Sequence, residues 1–199
     1  TRGLGREYQI MRGGIKRWPV GAPVQGPLHV LYELMHEHGF GAADVEQLVV
    51  RIPERELGVV NRQKMSDISV QYLMAVMLLD KTASFAAAHD KPRMKDAAVL
   101  RERAKVELVF DQELEKLVPL RVGIVEVTLN DGTTLTERVD AVRGSAQNPM
   151  TREEVATKAR DLMSPVLGAS RTDRLITAIL SLEKATTLRS LRPLLQPSR

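Results

Sequence analysis

The sequence contains no cysteine in its 199 residues. Disulfides, thiolate zinc sites, cysteine nucleophiles and iron–sulfur clusters held by the chain's own thiolates are therefore excluded. Aromatic residues are also scarce, with one Trp, three Tyr and three Phe, and none alternates with a lysine or arginine cluster. The 29 basic and 25 acidic side chains leave a net charge of only +4. The chain thus lacks both the basic stripe and the stacking platform expected of a nucleic-acid-binding protein.

A long apolar run is missing as well. The longest one, Tyr72 to Leu79, is far shorter than the roughly 20 residues that a helix needs to cross a bilayer. The first residues, Thr1–Glu7, are polar, contain no signal-peptide core and do not begin with methionine. We therefore expect a soluble, cytoplasmic protein that binds neither membranes nor nucleic acid. The length suffices to bury a hydrophobic core without disulfides or a structural metal.

The hydrophobic periodicity changes type several times along the chain, which is typical of a fold that mixes helices and strands. Strands have alternating apolar residues, whereas helices repeat them every three or four positions. On these patterns we expect a short strand over 15–20, a helix from Pro27 to Gly39, a strand over 45–52, a helix with its apolar stripe from Val70 to Leu78, a helix over 96–104 and a β-like stretch over 106–110.

The second half of the chain begins with a hairpin pattern and then becomes helical. Asn130-Asp131-Gly132 joins two alternating segments, and such residues supply the positive φ angles that a tight turn requires. Further on, Thr151 and Glu154 form a capping box, and Ser170 to Asp173 repeats the same pattern before another apolar helix. We therefore predict an α/β unit followed by a helical one, with the break near residues 143–150.

The histidines give little support to a metal site. His36 and His38 flank Glu37, but positions i and i+2 of a helix point about 200° apart. His29 lies on the same helix, and the chain has no HExxH pair. We expect no metal and interpret these histidines as part of a solvated helix end.

Two other side chains are open to more than one interpretation. Lys16 precedes Trp18, Pro19 and a glycine and proline loop that leads into a helix N-terminus. An ammonium group and a helix N-terminus together form an anion site, although a plain surface lysine fits the same pattern. Tyr72 leaves the main apolar stripe of its helix, so its phenol either faces a site or caps the core.

Three fragments of the sequence belong together by their order and spacing. They are Lys16-Arg17-Trp18-Pro19-Val20 with Gln25 and Pro27, Asp67–Tyr72 leading into Ala75–Leu79, and Arg143-Gly144-Ser145 with Asn148–Thr151 and on to Lys158. With these fragments the chain, from about residue 8 to residue 190, resembles the C-terminal half of proteins of the MmgE/PrpD family.

The resemblance implies a fold and a division into domains. In this family a small α/β lid is inserted into a large helical domain, which the N-terminal half and the last helices build together. The expected class is therefore α+β. Residues 1–145 form the α/β lid domain with its β-hairpin, and residues 146–199 form helices that pack on an N-terminal helical domain or subunit. The resemblance also implies a homodimer.

The resemblance further implies chemistry without a cofactor. The lid contributes a lysine, matched by Lys16, for carboxylate binding or proton transfer, and a tyrosine, matched by Tyr72, for hydrogen bonding or proton donation. Some members have histidine where this chain has Gly21 or Gln25, and we expect Gln25 to bind substrate instead. The family's histidine and aspartate acid/base residues lie in the N-terminal half.

The resemblance implies the function of a hydro-lyase similar to 2-methylcitrate dehydratase, which acts on a small polycarboxylate. Eliminating water or carbon dioxide from such an acid needs a base, an acid and fixed cations. Three alternatives remain open at this point: a decarboxylase or epimerase of the same family, a non-catalytic carboxylate-binding domain, and a subunit that completes a helical partner.

Overall fold

The computed structural model describes residues 3–118 and 120–196. Thr1 and Arg2 of the polar N-terminal stretch lie outside the described residues, as do Pro119 and residues 197–199. The mixed α and β class predicted from the sequence is confirmed. The helices are α1 Gln25–His38, α2 Glu54–Val60, α3 Val70–Asp80, α4 Phe85–His89, α5 Ala97–Ala104, α6 Gln112–Leu117, α7 Arg152–Leu167 and α8 Ala169–Leu180. The strands are β1 Val45–Ile52, β2 Val106–Phe110, β3 Gly123–Leu129 and β4 Thr134–Val139.

Short 3-10 helices connect several of these elements. They are Gln9–Arg12, Ala22–Val24, Ala42–Asp44, Pro92–Lys95, Leu182–Lys184 and Leu188–Leu194. Within the described residues, no helix has both the length and the apolar content that crossing a membrane requires.

The four strands form one mixed sheet in the order β2-β1-β3-β4. Strand β1 runs parallel to β2 and antiparallel to β3, and β3 pairs with β4 in the predicted hairpin. Gly132 in the hairpin turn has a φ of +85°, as the Asn-Asp-Gly sequence predicts. The strand expected over 45–52 is β1 and is also confirmed.

The core lies between one face of the sheet and the helices α1 and α3. Alternate residues of the strands, such as Leu48 and Val125, are fully buried on this face. Helix α1 packs on β3 and β4, while α3 lies against α1, α5 and β2. Every residue of α3 from Val70 to Leu78 is buried, so this helix has no solvated face along that stretch, unlike the one-sided stripe expected from its sequence.

The strand expected over 15–20 is wrong, because these residues form coil and bends. Pro19 has no N–H to donate, and the side chain of Gln25 occupies both main-chain groups of Trp18. Helix α1 therefore begins at Gln25, two residues before the predicted start. It ends as predicted, with Gly39 in the left-handed conformation at a φ of +72°.

The chain divides into two compact units between Pro149 and Met150. The sequence and its family resemblance predict a domain boundary after residue 145. The next residues stay with the first unit because Asn148 hydrogen bonds back to Ala141 and Gly144.

The second unit contains α7 and α8. Thr151 and Glu154 form the predicted capping box at the start of α7. The second predicted box is wrong, since Gly168, with a φ of +77°, separates the two helices and α8 begins at Ala169. Ser170 therefore lies inside the first turn of α8 and does not cap it.

Candidate functional site

The segment that carries Lys16 is held against the loop that follows β4. The Ile15 N–H donates to the Gly144 carbonyl oxygen at 2.7 Å. Gly144 has a φ of +95°, and a Cβ atom there would lie 1.9 Å from the Ile15 oxygen. A Cβ at Gly14 would meet the Gly144 oxygen at 2.6 Å. Two glycines thus permit an approach of the two backbones that other residues would block.

Asn148 closes the loop 141–148 on itself. Its Nδ2 donates to the Ala141 oxygen at 3.0 Å, and its Oδ1 accepts from Arg143 Nη1 at 2.8 Å. The Asn148 carbonyl oxygen also accepts from the Gly144 N–H at 2.7 Å. These bonds give the Arg143 guanidinium a defined position beside the Lys16 segment.

Lys16 itself is exposed, and its ammonium group donates to the Val20 carbonyl oxygen at 3.0 Å. The chain then turns through Ala22–Val24 into α1, whose first residue is Gln25. The start of α1 offers few free N–H groups to an anion, because the Gln25 N–H donates to the Ala22 oxygen, the Val24 N–H donates to the Gly21 oxygen and Pro27 has none. The attraction for negative charge expected at this turn therefore depends on Lys16 rather than on the helix N-terminus.

Gln25 shapes this turn from the inside. Its side chain is buried, with Nε2 donating to the Trp18 oxygen at 2.9 Å and Oε1 accepting from the Trp18 N–H at 3.4 Å. Both ends of the amide are therefore engaged with the main chain. The substrate contact expected of Gln25 stays a prediction, and the geometry gives the residue the task of holding the Lys16 turn.

Lys16 and Gln25 line a pocket of about 380 Å³ within the first unit. Arg12, Arg121 and Arg143 line it too, so four basic residues contribute to one cavity. Among the described residues that line it, none is aspartate or glutamate. A cavity with this lining suits a small ligand that carries several negative charges.

Arg121 is the pocket cation that comes from the sheet side, two residues before β3. Its guanidinium contacts the carboxylate of Glu56 in α2, which is mostly buried. Burial raises the pKa of Glu56, and the charge of Arg121 opposes that rise. The ion pair ties Arg121 to α2 and so restricts its side chain at the pocket.

Most of the chain matches a known protein family. Residues 18–184 match the MmgE/PrpD C-terminal domain. The chain belongs to the MmgE/PrpD family.

Relatives of this MmgE/PrpD chain include two cis-aconitate decarboxylases. The one from Mus musculus is 28% identical over 153 residues, which cover 72% of this chain and 30% of the relative. The one from Aspergillus terreus (strain NIH 2624 / FGSC A1156) is 32% identical over 134 residues, covering 64% of this chain and 26% of the relative. The chain therefore matches less than a third of the length of either relative.

Tyr72 of this MmgE/PrpD chain lies in the core of the first unit. Its side chain is fully buried, and its hydroxyl donates to the Ala87 carbonyl oxygen at 2.7 Å, with the Asp90 oxygen at 3.3 Å. Burial raises the pKa of the Tyr72 phenol. Tyr72 is not among the described residues that line the pocket of Lys16. The structure thus does not bring the two predicted catalytic residues to one described cavity, and the catalytic role of Tyr72 stays a prediction.

The sequence alone did not predict that Arg121 and Arg143 would line the pocket of Lys16. Arg121 and Arg143 are far from Lys16 along the chain and reach it only through the sheet and the loop 141–148. The position of Arg143 beside Gly144 and Ser145 in a motif of the family was the one available signal.

The histidines behave differently from one another. His36 and His38 are exposed at the end of α1, as expected, but His29 is buried and contacts the Arg143 main chain. Among the described residues, no group of three or more histidine, aspartate or glutamate side chains is placed to hold a metal ion.

Proposed function

We propose that this chain is the substrate-binding, C-terminal part of a cofactor-independent lyase that acts on a small polycarboxylate. The observation that carries the proposal is the pocket of Lys16, to which four basic residues and, in its described part, no carboxylate contribute. Membership of the MmgE/PrpD family supports it, as do two relatives whose names include an acid with three carboxyl groups, cis-aconitate.

The pocket cations act by binding and fixing the carboxylates of the substrate. Hydrogen bonds between charged groups contribute about 1.5–3 kcal/mol each, and an arginine can bind a carboxylate through two parallel bonds. Lys16 and Arg143 come from two segments joined by the Ile15–Gly144 hydrogen bond, so they hold two points of one ligand in register. When water or carbon dioxide leaves, the same cations stabilise the charge that develops on the substrate.

The proton transfers need both an acid and a base. Lys16 is one candidate, but no histidine, aspartate or glutamate is among the described residues that line the pocket. We propose that an N-terminal helical domain or subunit supplies the general acid and base. Exposed apolar side chains in the second unit, Val166, Ile179, Leu188 and Leu195, support such a helical partner. We also propose a homodimer for the complete enzyme.

Two reactions fit this pocket. Resemblance to the family favours dehydration of an acid similar to 2-methylcitrate, and the names of the relatives favour decarboxylation of cis-aconitate. Both reactions move a proton at a carbon next to a carboxylate, and both need the same fixed cations.

The test is a panel of acids offered to the full-length protein. Purified protein is assayed with cis-aconitate, citrate and 2-methylcitrate, with carbon dioxide release and double-bond absorbance followed separately. We expect turnover of at least one acid and a loss of at least about tenfold in kcat/KM for Lys16→Ala, since one charge-assisted bond is removed.

The matched control is Lys64→Ala, which removes an exposed lysine that is not among the described residues lining the pocket. Near-normal kcat/KM in Lys16→Ala would contradict the assignment of this pocket. If the full-length protein binds the acids without turning any of them over, the alternative of a non-catalytic carboxylate-binding domain would be supported instead.

A further inference from the structure

His29 lies in the second turn of α1 and is buried, with 5% of its surface exposed. Its Nδ1 accepts a hydrogen bond from the Arg143 N–H at 3.0 Å. Its Nε2 lies 3.4 Å from Oε1 of Glu33, one turn further along the same helix. The ring thus connects α1 to the loop that carries one of the pocket arginines.

The contact with Arg143 determines the tautomer of the ring. A main-chain N–H only donates, so Nδ1 must be free of a proton, and the proton of the neutral ring lies on Nε2, toward Glu33. A doubly protonated ring would turn Nδ1–H against the Arg143 N–H and break this bond.

The charged groups around His29 come from three elements. Glu33 belongs to its own helix, Arg17 lies in the segment before α1, and Arg143 lies in the loop 141–148. Burial lowers the pKa of His29 most strongly, Glu33 acts to raise it, and both arginines act to lower it further. The net direction agrees with the neutral ring that the hydrogen bond requires.

The anchored residue is adjacent to the backbone contact that builds the pocket. Arg143 precedes Gly144, and the Gly144 oxygen accepts the N–H of Ile15, the residue before Lys16. A hydrogen bond to the Arg143 main chain therefore restrains two basic residues of the pocket. It restrains Arg143 directly, and it restrains Lys16 through the Ile15–Gly144 hydrogen bond.

We propose that His29 is a positioning residue for the anion pocket, whose unprotonated Nδ1 anchors Arg143 and, through Gly144, Lys16. This inference deepens the proposed function and rests on it, since the pocket is taken to bind carboxylates. His29 does not line the pocket among its described residues and acts through Arg143 alone.

Two substitutions distinguish the hydrogen bond that His29 accepts from the Arg143 N–H from a role of the ring in packing alone. In His29→Asn, Oδ1 stands as many bonds from Cβ as Nδ1 does and still accepts from the Arg143 N–H. In His29→Gln the amide lies one bond further out, toward Glu33, and no acceptor remains at the Nδ1 position. Glutamine favours helices more than asparagine does, so a purely structural role predicts that Gln is tolerated better.

The experiment measures KM and kcat of both variants in the full-length protein, with cis-aconitate, citrate and 2-methylcitrate as the acids. We expect KM for a turned-over acid to rise about tenfold in His29→Gln, with kcat changed less, because a buried N–H loses its acceptor. His29→Asn recovers most of this loss. In the wild-type protein we expect KM to rise as the pH falls, because protonation of His29 breaks its bond with the Arg143 N–H. In His29→Asn we expect no such rise, because asparagine does not titrate.

A second readout follows the Arg143 amide resonance by NMR while the pH is lowered. In the wild-type protein we expect this resonance to shift together with the His29 ring signals, and in His29→Asn to stay in place. The proposal would be overturned by equal KM values in the two variants. It would also be overturned if the Arg143 amide resonance did not shift with the His29 ring signals. If the wild-type protein neither binds nor turns over any of the acids while the Arg143 amide still follows His29, the proposed function fails and the anchor is supported.

Discussion

Lys16 and Tyr72 carry the same expectation from the family but lie in opposite surroundings. Lys16 is exposed in a turn between loops, where its ammonium meets a pocket and the Val20 carbonyl oxygen. Tyr72 is fully buried within α3, with its hydroxyl bonded to the Ala87 carbonyl oxygen. A family resemblance shows which residue occupies a motif position. The burial and hydrogen bonds of that side chain determine whether its polar group can contact a ligand. Among the described residues, Lys16 lines a pocket and Tyr72 does not line that pocket.

The largest effect expected on the Lys16 side comes from Gly144→Ala. The new Cβ would lie 1.9 Å from the Ile15 oxygen at a φ of +95°, so the two segments must separate. Strained backbone and overpacking together lower the free energy of unfolding by about 3 kcal/mol. Urea unfolding of the full-length protein measures the loss, and the affinity for a tricarboxylate should fall with it.

Gly132→Ala is the matched control for that substitution. Gly132 has a φ of +85°, but a Cβ there meets nothing within 4 Å. We expect only the conformational part of the loss, about 1 kcal/mol, and an unchanged affinity. Equal losses for the two alanine variants would show that the contact with Ile15 does not hold the Lys16 segment.

Tyr72→Phe tests the other side of the comparison. We expect the free energy of unfolding to fall by about 1 kcal/mol, because the Ala87 oxygen loses a buried donor. If the hydroxyl only holds the Ala87 carbonyl group, kcat stays within about threefold. Tyr8→Phe serves as the control, since the Tyr8 hydroxyl is exposed and its hydrogen bond to the Gly5 oxygen is long, at 3.4 Å. A fall of about a hundredfold in kcat for Tyr72→Phe, without loss of stability, would establish the predicted role in proton donation.

Local patterns predicted most of the elements of the first unit. Strand β1 and the hairpin β3–β4 follow from alternation and from the Asn-Asp-Gly turn, because both signals lie within a few residues of each other. The strand expected over 15–20 failed for a non-local reason, since the side chain of Gln25 takes the hydrogen bonds that a neighbouring strand would need. Ser170 failed as a cap because Gly168 had already ended the preceding helix.

The site was predictable only in part. Lys16 came from the family motif, and its place before a helix N-terminus supported it. Arg121 became visible as a pocket residue only once β3 and α2 were in place, because its ion pair with Glu56 spans 65 residues of sequence. His29 was missed for a similar reason, since its partner Arg143 is 114 residues away.

The smallest effect we expect concerns pH and the Lys16 side again. Burial lowers the pKa of His29 below its ordinary value of 6.5, so the folded protein binds fewer protons than the unfolded chain just below that pH. The stability that comes from the neutral ring is complete above pH 6.5 and declines as the pH falls toward the lowered pKa. Glu56 acts in the opposite direction near its own titration, because burial raises its pKa.

Comparison with His29→Asn removes that complication, since both proteins contain Glu56. We expect the free energy of unfolding of the wild-type protein, measured by urea titration between pH 7.5 and 5.5, to decrease more steeply than that of the variant. Parallel curves would mean that the protonation of His29 does not differ between the folded and unfolded chains. The neutral ring of His29 would then not be needed to hold Arg143 and Lys16 together. The position of Lys16 would depend instead on the close backbone approach that Gly14 and Gly144 permit.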